Sequence, residues 1–178
     1  MQSFTPDVTT LSFGLFIARL VFGLLLAAHG AQKLFGWFGG YGLGGTAGFL
    51  ESLGFRPGRL FAAAAGAGEL AGGLLTALGA LGPVGPALMI AVMVVAIGSV
   101  HWTHGVFAAK NGVELPLLNA VAALAVGLVG PGLYSIDAAL GLERAWTPAL
   151  VVAILALGFL GGLANLALRR PAPATAKA

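Results

Sequence analysis

Residues 60–81 read LFAAAAGAGELAGGLLTALGAL, an apolar stretch whose one charge is Glu69. A helix rising about 1.5 Å per residue over that length crosses the roughly 30 Å hydrocarbon core of a bilayer. Ionisable groups at membrane depth are costly unless paired or solvated, so Glu69 reads as functional and requires a partner. The candidates are Arg19, His29 and Lys33 in the first apolar stretch and His101 in the third.

Outward from Glu69 the chain keeps this character. Of its 178 residues 58% are hydrophobic and 8% charged, against about 25% charged in a soluble domain. Apolar runs at 11–35, 60–81, 84–102, 116–130 and 149–168 predict five spans, the fourth of them short. The expected fold is therefore an all-α, polytopic transmembrane helix bundle. With no cysteine, disulfides, thiol relays, thiolate-ligated clusters and palmitoylation are excluded. A redox role then needs a bound cofactor or a diffusible quinone. The net charge of +3 sits beside span ends, where basic residues orient a membrane protein, so nucleic acid is not an expected partner. A cleaved signal peptide is not expected either, because Asp7 stands where a base belongs and Arg19 interrupts the apolar run.

Seven basic residues, Lys33, Arg56, Arg59, Lys110, Arg169, Arg170 and Lys177, fall on one side of five spans, and Arg144 falls on the other. The positive-inside rule then predicts a bacterial inner-membrane protein with its N-terminus outside and C-terminus in the cytoplasm. Gly82 to Pro86 predicts a tight turn between antiparallel helices. The loop 36–59 carries Trp37, Phe38 and Tyr41 at interface depth and a short helix over 46–53 with Gly54 as its C-cap, which together suggest an interfacial flap. The glycine run from Gly39 to Gly45 reads as flexible, because it lacks a phosphate-binding lysine and a βαβ setting. Ser135 is positioned to cap another short helix with Asp137 in its first turn. The tail at 171–178 is Ala/Pro-rich and predicts disorder.

On the first span Lys33 lies about 40° and Arg19 about 80° from His29, so all three share a broad face. Counted from the cytoplasmic ends of their spans, Glu69 lies about 13 Å deep, His29 about 9 Å and Arg19 about 24 Å. His101 and His104, three residues apart, return to the same half on one helix face, and Lys110 and Glu114 follow. Such a set forms a pocket of Arg19, His29, Glu69 and His101 with Lys33 and Glu114 at its mouth. Imidazoles, a carboxylate and a cation can there exchange protons with a lipid-soluble quinone or phenol. The same residues also suit plain helix pairing. His101, His29 and Glu69 could hold a metal, although their spacing fits no established motif, and His29 with His101 could ligate a haem. No Rossmann, P-loop or nucleophile-elbow motif is present.

The chain resembles the DoxX family of small bacterial membrane proteins. The resemblance rests on Arg19, His29, Gly30 and Lys33 to Gly36, on Phe49 to Gly54, on Gly68 to Gly73, on His101 with Asn111 to Pro116, and on Gly130 to Asp137. It implies a four-helix membrane core within 1–142, leaving 143–170 as an additional C-terminal span and 171–178 as a tail. It also places the chain near a thiosulfate:quinone oxidoreductase subunit and near catechol- and quinone-resistance oxidoreductases. The expected role is quinone-linked redox chemistry, alone or as the membrane subunit of an oxidoreductase complex. Glu69, His29 and His101 are the expected proton-handling residues, and Arg19, Lys33 and Glu114 the substrate-binding ones. A quinone is the candidate cofactor. The competing readings are a non-catalytic membrane anchor and a small-solute carrier.

Overall fold

The computed structural model describes residues 7–170, so the tail expected to be disordered lies outside the described residues. Helix α1 spans Val8–Phe35, α2 Gly42–Ser52, α3 Gly58–Leu78, α4 Val84–Ala96, α5 Glu114–Val129, α6 Ile136–Ala139 and α7 Pro148–Ala167. Among the described residues there is no strand. The protein is an all-α, polytopic membrane bundle. Helices α1, α3, α7 and the continuous helical run Val84–His104 are long and apolar enough to cross a membrane. Helix α5 has 16 residues, and at 1.5 Å each reaches about 24 Å.

Helix α1 opens on Asp7, whose side chain accepts from the Thr10 amide, and closes on Gly36 at φ 73°, a left-handed conformation that glycine adopts without cost. It packs antiparallel to α3 through small residues. A Cβ on Gly23 would strike Gly73 and Ala77, and one on Gly30 would strike Gly66 and Leu70. Backbones that approach so closely gain van der Waals contact, which drives helix association where lipid competes equally for apolar surface. This register sets His29 level with Glu69 and Arg19 level with Gly79.

The turn after α3 is held by Asp137, whose carboxylate accepts from the Leu81 and Gly82 amides at 2.9 and 2.6 Å and from Trp146 Nε1 at 2.8 Å. Ser135 caps α6 by accepting from Ala138, as its sequence predicts. Asp137 is wholly buried rather than a simple first-turn charge. Helix α4 is central and shares the apolar core with α5 and α7, built on Met89, Ile90, Met93, Ala123 and Leu155. Gly158 seats against Ala87 and Gly162 against Ala91, so α7 runs parallel to α4.

Two elements differ from the sequence reading. The glycine run is not a free loop over its whole length. Helix α2 already begins at Gly42, because packing on α1 and α3 outweighs poor glycine propensity. The end of the third span is not plain α-helix either. A π-turn at Ile97–His101 leads into a 3-10 turn at Trp102–His104, where His101 Nδ1 donates to the Asn111 carbonyl and His104 Nδ1 to the Val100 carbonyl.

Candidate functional site

The Glu69 carboxylate, with its side chain 4% exposed, receives Lys33 Nζ at 2.6 and 2.5 Å. Lys33 is therefore its partner among the candidates. Helix α1 carries Lys33 one turn beyond His29, and the long lysine stem reaches back to the level of Glu69 with its side chain 32% exposed. Two charges with two short hydrogen bonds satisfy each other where either alone would be costly.

Lys33 also borders a cleft of about 640 Å³, lined by Gln32, Lys33, Tyr41, Thr46 and Phe49 with three glycines. The cleft lies between the end of α1 and the face of α2. Thr46 Oγ1 donates to the Lys33 carbonyl at 3.3 Å, and Gln32 Nε2 donates to the Phe38 carbonyl at 3.2 Å, tying the flap to α1. His29 Nδ1 hydrogen-bonds Gln32 Oε1 at 3.0 Å. The imidazole lies within electrostatic range of Glu69 but is exposed on the side of α1 rather than turned inward. Its neighbour Gly30 occupies the contact face with α3, and one residue is a rotation of about 100°.

The other expected pocket residues stand elsewhere. Arg19 is 1% exposed, and its Nη2 donates to the Tyr134 carbonyl at 2.5 Å, beside Gly79 and within electrostatic range of Asp137. That places it ten residues along the α1 axis from His29, about 15 Å away, so it does not join Glu69. His101 donates through Nδ1 to the Asn111 carbonyl at 2.8 Å. Glu114 accepts from the Ala108 amide at 2.7 Å, and with Val113 N to Gly105 O at 3.0 Å it closes the loop between α4 and α5. Asn111, at φ 61°, makes the turn in that loop. Among the described residues no three His, Asp or Glu side chains are grouped as a metal site requires, so His29, Glu69 and His101 do not assemble one.

Sequence reasoning missed Gln32, Thr46 and Phe49 as cleft residues. A usable signal was present, since Gln32 and Lys33 precede an aromatic loop and a helix with one apolar face. It also missed Glu51, whose Oε1 accepts from the first amide of α3, Gly58, at 2.9 Å.

Apolar helices packed in alternate directions, with an ion pair between α1 and α3, define a multi-pass membrane protein in contact with the lipid bilayer. The DoxX family model matches residues 14–102, and the chain belongs to the DoxX family. The matched segment contains both Lys33 and Glu69 and all of α2. No curated protein and no solved structure matches the chain.

Proposed function

We propose that the protein takes part in quinone-linked redox chemistry at the bacterial inner membrane, binding a quinone or phenol headgroup in the cleft under α2. The observation that carries this reading is the buried Lys33–Glu69 pair, whose lysine is also a wall of the cleft. A volume of about 640 Å³ suits one aromatic headgroup, for which sites of roughly 300–1,000 Å³ are usual. Tyr41 and Phe49 offer ring faces, and Gln32 and Lys33 offer donors to a carbonyl oxygen. A bound quinone supplies the electron-accepting group, and electrons enter from an oxidoreductase subunit. The chain's own residues orient the ring and manage protons. Lys33 Nζ gives a proton to the reduced quinone oxygen, and the Glu69 carboxylate, left without its counter-charge, draws a replacement proton from the interface back to the amine. His29, beside both Gln32 and Glu69, connects the pair to the interface. His101 and Glu114 fit loop-positioning roles, and Arg19 the fixing of the opposite end.

The test is quinone binding and reduction in membranes with any co-purifying subunit present, after equal insertion of each variant is established. Proton transfer by a positioned group contributes about 10²–10⁴-fold to rate, so Glu69→Gln and Lys33→Met should collapse turnover. His29→Gln should impair it, and Lys110→Gln in the exposed loop should leave it unchanged. If the wild-type chain neither binds nor reduces quinone, or if both pair variants turn over normally, the protein is a membrane anchor and the ion pair serves helix association.

A further inference from the structure

A second hollow lies on the other side of α2. It is a groove of about 150 Å³ between α3, α4 and α7, walled by Phe55, Phe61, Val92 and Val95 and floored by small residues including Ala64 and Gly161. Its α3 lining recurs at 61, 64, 65 and 68 and its α4 lining at 88, 91, 92 and 95, so both walls are continuous helical stripes running along the bundle. The volume is below the roughly 300 Å³ at which whole small-molecule sites begin, but the elongated apolar shape suits one hydrocarbon chain. The one polar side chain among its lining residues is Asn165, near the end of α7.

That end is strongly basic. Arg169 Nε donates to the Leu53 carbonyl at 2.5 Å, and the Arg170 amide donates to the Gly54 carbonyl at 2.8 Å, which brings both arginines beside Phe55. Arg56 follows Phe55, and Arg59 precedes Phe61 by two residues. Arg56, Arg59 and Arg170 are exposed. The acidic residue in this segment, Glu51, is engaged on the Gly58 amide. Arg56, Arg169 and Arg170 thus cluster beside Phe55 at one end of an apolar groove, an arrangement that complements a phosphate attached to an acyl chain, whereas Arg59 starts on the far face of α3.

The geometry points to an anionic phospholipid site in which one acyl chain fills the groove and the arginines hold the phosphate. Asn165 stands at the depth of the ester linkages. The site is independent of the quinone reading, because the groove and the cleft share no lining residue.

The experiment is native mass spectrometry of the purified full chain titrated with phosphatidylglycerol or phosphatidylcholine. The wild-type chain should retain one phosphatidylglycerol in preference to phosphatidylcholine. Arg56→Gln with Arg170→Gln should weaken phosphatidylglycerol binding by roughly tenfold or more, each basic residue near a membrane surface being worth about a factor of five. Nothing lies within 4 Å of a Cβ built on Gly161, so Gly161→Leu and Gly161→Val fill the groove from a side chain that has room. Both should lower retention of the lipid, and the valine variant carries the test if the leucine variant aggregates. Equal affinity for the two lipids, or unchanged phosphatidylglycerol binding in the arginine variant, would show that the arginines only orient the chain. Unchanged binding in the groove-filled variants overturns the acyl-chain site. Displacement of the lipid by a short-chain quinone, one for one, assigns the groove to a quinone instead.

Discussion

Lys33 and Glu69 stand 36 positions apart in sequence and share two hydrogen bonds in space. Removing one partner of a fully buried pair costs about 3–5 kcal/mol. Because a third of the lysine side chain is exposed and can move its charge outward, Glu69→Gln should cost less than that range. Combining it with Lys33→Met should restore part of the loss in a thermal-unfolding cycle, whereas combining it with Arg19→Met should give additive effects. Coupling to Arg19 would contradict the geometry. Asp137 makes a stronger demand, since it is wholly buried and accepts three hydrogen bonds. Asp137→Asn turns an amide toward one of those donors, and each buried donor left unsatisfied costs about 1–3 kcal/mol, visible as a lower melting temperature in detergent. At the start of α1 the Thr10 backbone amide and, after it, the Thr10 hydroxyl hold Asp7 below its ordinary value of 3.8. Its capping contribution is present above that value and lost as pH falls through the folded one.

The need for a Glu69 partner was legible in the sequence because a lone charge in an apolar run has few physical outlets. Which cation answered was not, since depth counted from the ends of apolar runs drifts by a turn and cannot see helix register. Only the seating of Gly30 on Leu70 and of Gly23 on Gly73 settles that Lys33 reaches Glu69 and Arg19 does not.

Among the elements, the α1–α3 seam depends on glycine more than on any large side chain. A Cβ on Gly73 meets the Gly23 carbonyl and the Ala27 backbone, so Gly73→Val should cost about 1–3 kcal/mol or more by overpacking. Gly14, with nothing within 4 Å of its Cβ position, should accept valine with little change. Comparable melting temperatures for the two variants would refute this seam. Hydrophobic patterning found the long helices but was blind to the π-turn at 97–101, because one extra residue in a turn does not change how a mostly apolar run reads. It placed a short helix before Gly54 and started it too late, because the glycines at 42, 44 and 45 have poor helix propensity that packing on the neighbouring helices overrides.

For the whole molecule, the sequence predicts an alternating path of five crossings; four helical segments are long and apolar enough to cross, the shorter α5 is the fifth candidate, and the end of the chain returns to the α2–α3 connection through the Arg170 amide and the Gly54 carbonyl. The positive-inside rule predicts its direction across the membrane, with the N-terminus outside. Single cysteines at Gly48 and Ala145, both exposed in a chain that has no other cysteine, measure that direction. An impermeant thiol reagent outside the cell should label Ala145→Cys and spare Gly48→Cys, and the reverse pattern would invert the topology.

The bonds from Arg169 and Arg170 to the α2–α3 connection also order events in time. Residues 53 and 54 leave the ribosome more than a hundred positions before the arginines that fasten them. The flap over the cleft must therefore wait, inserted but unlatched, until the last helix is made. A chain stopped after residue 147 should integrate into the membrane yet leave the Leu53–Arg56 connection open to protease, and the full chain should protect it.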